Sequence, residues 1–219
     1  MHGKPMLAAL TVVLLAVAVT VRSKGRSVPP VQGGKQVRIL SRTTLSTRGS
    51  TRATAYAMSN KIVTRNDRVF VSWLDHVSDI RAKVYDTRTQ TWGDTVTVGK
   101  GVDNHSGPAL TMDDAGQLHI VYGTHHHPFK YRRTVRPLDI TEWTKEERFG
   151  EKGTYPSLTA TPDGALWCAC RSSRTDPWRL RVFRRRRGGD WDDGLDVLDV
   201  GARGYAWLGN ALALSLIHI

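Results

Sequence analysis

Short stretches in which apolar and polar residues alternate fill most of this chain, and turns rich in Gly and Asp separate them. In one representative unit the stretch Ala109–Met112 meets the polar turn Asp113–Gly116, and a second stretch, Leu118–Tyr122, follows. A third stretch spans Phe129–Thr134, and a fourth lies near Trp143. Alternation with a period of two is typical of β-strands, and no amphipathic helix follows the N-terminal apolar run. The pattern predicts an all-β chain.

The unit recurs along the chain about every fifty residues. Pro108–Thr111 returns as Pro156–Thr159, a shift of 48 positions, and Gly116 corresponds to Gly164 at the same shift. Three glycines and three tryptophans follow nearly the same spacing: Gly99, Gly150, Gly201, Trp92, Trp143 and Trp191. Short strands repeated at a fixed period indicate the four-stranded blades of a β-propeller. The alternative, a β-sandwich, does not repeat with a fixed period.

The N-terminus predicts an export signal. His2 and Lys4 precede an apolar run, Met6–Val21, that is shorter than the roughly 20 residues of a membrane span. We therefore expect residues 1–21 to be a signal peptide or membrane anchor, and the protein to be secreted, periplasmic or at the cell surface. Residues 22–37, with two prolines and three glycines, are typical of a linker.

We expect a partial propeller over residues 38–213. At about fifty residues per blade this range holds three to four blades, whereas closed propellers have about four to eight. Residues 214–219 resemble one translated frame of a common sequencing adapter. We therefore expect this tail to be non-native and the natural protein to continue beyond it.

Composition narrows the classes of function. The 219 residues include 32 Lys and Arg against 20 Asp and Glu, a formal net charge of +12. Hydrophobic residues make up 40%, which is typical of a globular protein, and two cysteines exclude a disulfide-stapled miniprotein or a cysteine-rich zinc array. The basic excess favours a polyanionic partner, and for an exported protein an acidic polysaccharide is expected rather than nucleic acid.

Propeller topology predicts which polar residues lie together. In each blade the loop that leads into the first strand and the loop between the second and third strands lie on the same face. His105 is in the leading loop of one blade, and His125, His126 and His127 follow its second strand. At the corresponding positions of the next blade, Tyr155 lies in the leading loop and Arg171 just after the second strand. We predict that His105, one of His125 and His126, Tyr155 and Arg171 converge on one rim.

Other polar groups have simpler interpretations. Imidazole is a common metal ligand, so the three consecutive histidines could suggest a metal site. Adjacent histidines rarely all bind the same ion, however, and no metal site is predicted. His119 alternates with apolar neighbours and is expected to be structural. Cys168 and Cys170 are two apart on a strand, so they share a face and suit buried free thiols better than a mutual disulfide. Arg184–Arg187, followed by two glycines, is expected to form a hairpin tip.

Three segments carry a resemblance to a known family: Asp103–Pro108, Asp114–Gly123 and His125–Arg132. They resemble the BNR-repeat β-propellers that include ulvan lyases, over roughly residues 38–210 and most strongly over 103–172. That family implies a seven-bladed propeller and cleavage of a sulfated rhamnose–uronate polysaccharide. The family's active site has two histidines about twenty residues apart, which His105 and His125 match. It also has a tyrosine and an arginine sixteen residues apart, which Tyr155 and Arg171 match.

The resemblance implies a role for each residue in β-elimination. His105, or the histidine at 125 or 126, would be the base, and Tyr155 would act as the acid or as a shared acid and base. Arg171 would bind the uronate carboxylate, and Asn104 and Lys130 would contribute to substrate binding. No cofactor is expected. Some relatives carry a structural metal, for which no full ligand set can be mapped on this chain.

Two other functions stay open at this point. A sialidase-type glycoside hydrolase would need three arginines and a Tyr/Glu pair, whereas Glu occurs after the linker only at positions 142, 146, 147 and 151. A propeller that binds carbohydrate without catalysis is the other alternative. Because the range 38–213 holds only three to four blades, activity of the chain by itself is in doubt.

Overall fold

A computed structural model describes residues 8–13, 39, 41–54, 56 and 58–199. Within that part the regular structure consists of fourteen strands, and no helix occurs that could cross a membrane. The strands are β1 Ala8–Val13, β2 Arg42–Gly49, β3 Ile62–Arg65, β4 Arg68–Asp75, β5 Asp79–Asp86, β6 Thr91–Trp92, β7 Val96–Lys100, β8 Ala109–Met112, β9 Leu118–Tyr122, β10 His127–Arg133, β11 Glu147–Ala160, β12 Leu166–Ser172, β13 Arg179–Arg185 and β14 Leu195–Asp199.

Three successive antiparallel units, here called blades, follow from the strand pairings. Blade 1 is β3–β4–β5–β7, blade 2 is β8–β9–β10 and the first part of β11, and blade 3 is the rest of β11 with β12, β13 and β14. The first strands of successive blades are neighbours, because β8 lies against both β3 and β11. The predicted all-β fold of repeated four-stranded blades is confirmed, and the repeat seen in the sequence corresponds to β8–β9 and β11–β12.

Strand β11 belongs to two blades at once. Its first residues pair with β10 through Phe129 and Phe149, and its last residues pair with β12 through Leu158 and Cys168. Gly150, next to Phe149, has a φ of +66° in the left-handed region, which permits a change of direction there. Blades 2 and 3 therefore share a continuous backbone rather than a separate connecting loop.

Each blade buries the apolar face of its strands against the next. In blade 2, Leu118, Ile120 and Tyr122 are fully buried and pack with Leu74 and Ile80 of blade 1. A second cluster joins blades 2 and 3, and its largest side chains are aromatic: Phe129, Tyr131, Phe149 and Phe183. The ring of Phe149 stacks on Trp191 with centroids 4.0 Å apart. This packing fixes the blade ends on which the polar residues lie.

Several structural predictions are confirmed. Cys168 and Cys170 are free, fully buried thiols, and burial raises the pKa of Cys170 to about 12. His119 is buried, and its Nδ1 lies 2.7 Å from the Tyr131 hydroxyl. The Arg184–Arg187 run leads into a turn closed by the N–H of Gly189, which donates to the carbonyl of Arg186.

The predictions for the two ends of the chain stay predictions. Residues 8–13 form a strand paired with β2, while the rest of segments 1–21 and 22–37 and the tail 214–219 lie outside the described residues.

Candidate functional site

The polar residues that the sequence analysis singled out lie at one end of blades 2 and 3, and two of them, Tyr155 and Arg171, lie within strands rather than in the predicted loop positions. His105 lies in the loop before β8, and His125 and His126 lie between β9 and β10. Tyr155 is in β11 where blade 3 begins, and Arg171 is near the end of β12. Ring contacts connect these residues in a continuous series from His105 to Arg171. The structure thus brings together the residues that topology placed on one rim.

Asp103 joins two of the histidines. Its Oδ2 lies 2.7 Å from His125 Nδ1, and its Oδ1 lies 3.3 Å from His105 Nδ1 and accepts the backbone N–H of His105 at 2.7 Å. The two imidazoles stack with centroids 4.0 Å apart. A carboxylate on Nδ1 favours the tautomer that leaves Nε2 as the basic nitrogen, so Asp103 orients both rings.

His126 has different partners from His125. Its Nδ1 lies 2.6 Å from the Ser173 hydroxyl, and its ring is 5.5 Å from Trp178. Alternation along a strand would turn one of the two neighbours away from the site, but the rings of His125 and His126 lie only 4.7 Å apart. The expectation that only one of them faces the site is corrected, because both precede β10 and His126 has a φ of +61°.

Tyr155 lies between an aromatic ring and a cation. The ring of Tyr56 is 4.3 Å from it, and the guanidinium carbon of Arg171 is 4.5 Å from its centroid. Tyr155 itself is 1% exposed and has a φ of +59°. Its ring centroid lies 6.4 Å from that of His105.

Arg171 is more enclosed than its predicted role suggests. The residue is 2% exposed, and its guanidinium lies between the ring of Tyr155 and that of Trp178, which is 4.4 Å away. A guanidinium held against aromatic rings can bind oxygen atoms through its in-plane N–H groups.

The two other predicted binding residues differ in their positions. The side-chain amide of Asn104 donates to the Thr51 hydroxyl at 3.1 Å, and the residue adjoins His105. Lys130 is engaged elsewhere: its ammonium donates to the carbonyl of Lys100 at 2.8 Å and lies 3.5 Å from Glu146. The structure places Asn104 beside the histidines and gives Lys130 structural partners, so its role in binding stays a prediction.

Sequence reasoning missed three residues of this cluster: Asp103, Tyr56 and Trp178. Asp103 was inside the recognised motif, two positions before His105, where a carboxylate can accept the N–H of residue i+2. Tyr56 precedes β3, so the repeat would have placed it in the leading loop of blade 1. Nothing in the spacing pointed to Trp178, because it lies in the irregular connection between β12 and β13.

Burial and local charges set the ionisation of the cluster. Burial, helped by the nearby positive charges of His125 and Arg52, lowers the pKa of His105, while Asp103 opposes the shift. Burial raises the pKa of Asp103, but the N–H of His105 and the imidazole of His125 outweigh it, so the net shift is downward. Burial raises the pKa of Tyr56 to about 12, although Arg52 donates to its hydroxyl at 2.5 Å.

Lys61 stabilises the backbone around Tyr56 through hydrogen bonds. Its ammonium donates to the backbone carbonyls of Tyr56 and Ser59, at 3.2 and 3.1 Å, and burial lowers its pKa to about 8. The hydroxyl of Ser59 in turn donates to the carbonyl of Pro156 at 2.5 Å. These bonds fix the loop of Tyr56 against the residue that follows Tyr155.

The arrangement is suited to proton transfer. It combines a neutral imidazole oriented by a carboxylate, a phenol and a guanidinium within one cluster, which are groups that can act as a base, an acid and an anion-binding site. One ligand atom from each of Asp103, His105 and His125 also lies within 4.8 Å of the others, a spacing compatible with a shared metal ion.

Comparison with known families gives a match over most of the blades. Residues 68–193 match the sequence model described as a BNR repeat-containing family member. An ulvan lyase of Nonlabens ulvanivorans is 26% identical over 131 residues, covering 48% of this chain and 28% of that protein. The protein "Ulvan Lyase-PL25" of Pseudoalteromonas sp. (strain PLSV) is 31% identical over 84 residues, covering 32% of this chain and 17% of the relative.

Solved structures agree on the fold. A polysaccharide lyase of family PL25, an ulvan lyase, superposes with a TM-score of 0.60 at 20% identity, covering 69% of this chain and 40% of that one. The same values hold for that enzyme bound to -[GlcA(1-4)Rha3S]-. This likeness concerns the fold, and the chain spans 28% or less of the curated relatives named above.

Proposed function

Because the chain belongs to the BNR repeat-containing family, we propose that it is part of an exported polysaccharide lyase that cleaves a uronate-containing, ulvan-like polysaccharide by β-elimination. The observation that supports this most is the cluster of His105, His125, Tyr155 and Arg171, in which a base, an acid and a cation lie together. The names of the matched relatives, all ulvan lyases, support the substrate class.

The chemistry needs a base for a weakly acidic proton. In the proposed reaction, Nε2 of His105 takes the proton from C5 of a uronate, and the C–H electron pair forms the C4=C5 double bond. The bond from C4 to the bridging oxygen breaks, and the hydroxyl of Tyr155 supplies the proton that this oxygen takes up. Two hydrogen bonds to Asp103 hold His105 and its partner His125 in the required tautomer.

Extra negative charge on the substrate carboxylate must be stabilised in the transition state. His125, His126 and Arg171 are the positively charged or hydrogen-bonding groups of the cluster that can do this. The fork of Arg171 binds oxygen atoms in its plane, which suits the enclosed position between Tyr155 and Trp178.

The carboxylates that a hydrolase would use are engaged elsewhere. Each glutamate after the linker pairs with a cation outside the cluster: Glu142 with Arg136, Glu146 with Lys130, Glu147 with Arg185 and Glu151 with Arg174. This arrangement favours elimination over a sialidase-type mechanism.

Product mass distinguishes the two reactions. The gene product that contains this chain, expressed from its genomic reading frame, is incubated with ulvan and the oligosaccharides are analysed by mass spectrometry. Elimination gives a non-reducing end that is one water lighter than the hydrolysis product. Products with the full mass of the hydrolysed sugar, or intact ulvan after incubation with folded protein, would contradict the proposal.

A further inference from the structure

The carboxylate of Asp103 and the two imidazoles that contact it can do more than share protons. We propose that Asp103, His105 and His125 form a binding site for a divalent transition metal ion such as Zn²⁺, and that the ion blocks the site when bound. Only the blocking effect rests on the proposed lyase function, since the metal site itself follows from geometry and donor chemistry.

The distances fit a single ion. Metal bonds to imidazole nitrogen and carboxylate oxygen are about 2.0–2.2 Å long, so neighbouring donor atoms around one tetrahedral ion lie about 3.3–3.6 Å apart. The corresponding separations here are 3.3 Å for His105 Nδ1 to Asp103 Oδ1 and 2.7 Å for His125 Nδ1 to Asp103 Oδ2. One donor atom from each of the three residues lies within 4.8 Å of the other two, so small side-chain rotations would bring all three to one ion.

The donor set selects the class of metal. Two imidazoles and one carboxylate suit Zn²⁺, Co²⁺ and related ions, whereas Ca²⁺ and Mg²⁺ prefer oxygen ligands. Three protein ligands leave a coordination position open to water or to a substrate oxygen.

The site is accessible but not strongly anionic. The side chains of Asp103, His105 and His125 are 37%, 17% and 29% exposed, so an ion can enter from the rim. The positive charge of Arg52 acts on His105 and opposes a second cation. We therefore expect weaker binding than at a structural zinc site with four protein ligands.

Occupation would remove the base. An ion on Nδ1 of both rings displaces the protons that Asp103 now shares and adds positive charge beside Nε2. The proton that leaves Nδ1 of His105 moves to Nε2 of the same ring, which therefore cannot accept one from C5. The ion is thus expected to act as a reversible inhibitor that competes with protons.

Direct binding measurements test the site on the 219-residue chain. Isothermal titration with Zn²⁺ should show one saturable site, and Co²⁺ should produce visible d–d absorption. Asp103→Asn and His125→Gln should each weaken Zn²⁺ binding by at least tenfold. Cys168 and Cys170 are fully buried and should not compete for the ion.

His127, the last of the three consecutive histidines, provides the matched control. His127 is exposed and lies outside the group of three ligands, so His127→Ala should change Zn²⁺ affinity by less than about twofold. Absence of saturable uptake by wild-type protein overturns the proposal. Loss of affinity in His127→Ala with none in Asp103→Asn also overturns it, because the run of histidines would then bind the ion adventitiously.

Activity measurements separate this proposal from the lyase proposal. On the gene product used for the ulvan assay, Zn²⁺ should abolish elimination with the midpoint found by calorimetry, and a chelator should restore it. Zn²⁺ binding by a protein that never produces unsaturated ends would uphold the metal site and contradict the lyase function. Elimination that is unaffected by saturating Zn²⁺ would contradict the blocking effect.

Discussion

At the scale of single residues, the cluster depends on one carboxylate, Asp103, that hydrogen-bonds two imidazoles. The spacing of the motif and the blade topology sufficed to predict that His105 meets either His125 or His126, without a choice between the two. They could not predict that both lie in the cluster, because this depends on a backbone angle of +61° at His126 that follows from no regular pattern. Nor could they reveal Asp103 as the group that orients both rings, since an Asp in a loop usually faces solvent.

Replacing Asp103 by Asn should move the acid limb of the activity profile. The base must be neutral to accept a proton, and burial lowers the pKa of His105, so the wild-type limb should fall below the ordinary histidine value of about 6.5. Asp103 raises that pKa, so its loss should move the limb further toward acid. The maximal rate should drop by roughly 10- to 100-fold. This is less than the rate enhancement of about 10²- to 10⁴-fold that a general base contributes, because the base itself remains. The measurement is kcat/KM against pH.

A second Asp–His pair supplies the control for that profile. Asp113 Oδ2 lies 3.3 Å from Nε2 of His119 in a buried network outside the cluster. Asp113→Asn should therefore leave the acid limb in place even if stability falls. An acid limb that stays put, or moves to higher pH, in Asp103→Asn would refute the orienting role.

Removing the hydroxyl of Tyr155 should separate catalysis from packing. Tyr155→Phe keeps the ring that contacts Tyr56 and Arg171 and removes the hydrogen bond between the Tyr155 and Tyr56 side chains, so the free energy of unfolding should fall by only about 1–2 kcal/mol. The loss of the acid should lower kcat by about 10²- to 10⁴-fold with a smaller effect on KM. A variant that retains wild-type kcat would show that another group protonates the leaving oxygen.

At the scale of elements, β11 determines how blades 2 and 3 meet. The fifty-residue repeat correctly placed the start of each blade, because turns and apolar stretches recur in register. It could not show that the last strand of blade 2 and the first strand of blade 3 are one continuous element, since both halves look like ordinary short strands. Gly150 permits the change of direction, and its α-carbon lies against the ring of Phe183.

An alanine at Gly150 should destabilise the junction of the two blades. An added Cβ would lie 2.7 Å from Phe183 and would also strain the positive φ, so we expect a loss of about 2–5 kcal/mol from the free energy of unfolding. Gly188 has a similar φ of +68° but no atom near its added Cβ. Gly188→Ala therefore reports the strain alone and should lose only about 1–2 kcal/mol. Equal losses in urea unfolding would show that contact with Phe183 is unimportant.

At the scale of the whole molecule, successive blades place basic and aromatic residues from distant parts of the chain on one rim. The fold class and the shared face were predictable, because both depend on periodicity and topology. The enclosure of Arg171 was not, because it results from Trp178 packing over it from a loop without a repeated pattern. The net charge of +12 suits a long anionic substrate that contacts more than the cluster.

Salt should weaken binding of the polysaccharide. Raising ionic strength from about 0.01 M to about 1 M shortens the Debye length from about 30 Å to about 3 Å and screens the basic surface. Affinity for ulvan, measured by calorimetry on an inactive variant such as Tyr155→Phe, should fall by at least tenfold. Affinity unaffected by salt would mean that the basic charge has no part in recognition. The affinity for a neutral polysaccharide, measured at the same two ionic strengths, serves as the control.

The most direct test of the central claim is the near-ultraviolet absorbance of ulvan incubated with the gene product that contains this chain. Elimination creates a C4=C5 double bond conjugated with the carboxylate, so we predict a steady rise with wild-type protein and none with folded His105→Ala. Depolymerisation without that rise, or an equal rise with His105→Ala, would contradict the account of this cluster as a lyase site.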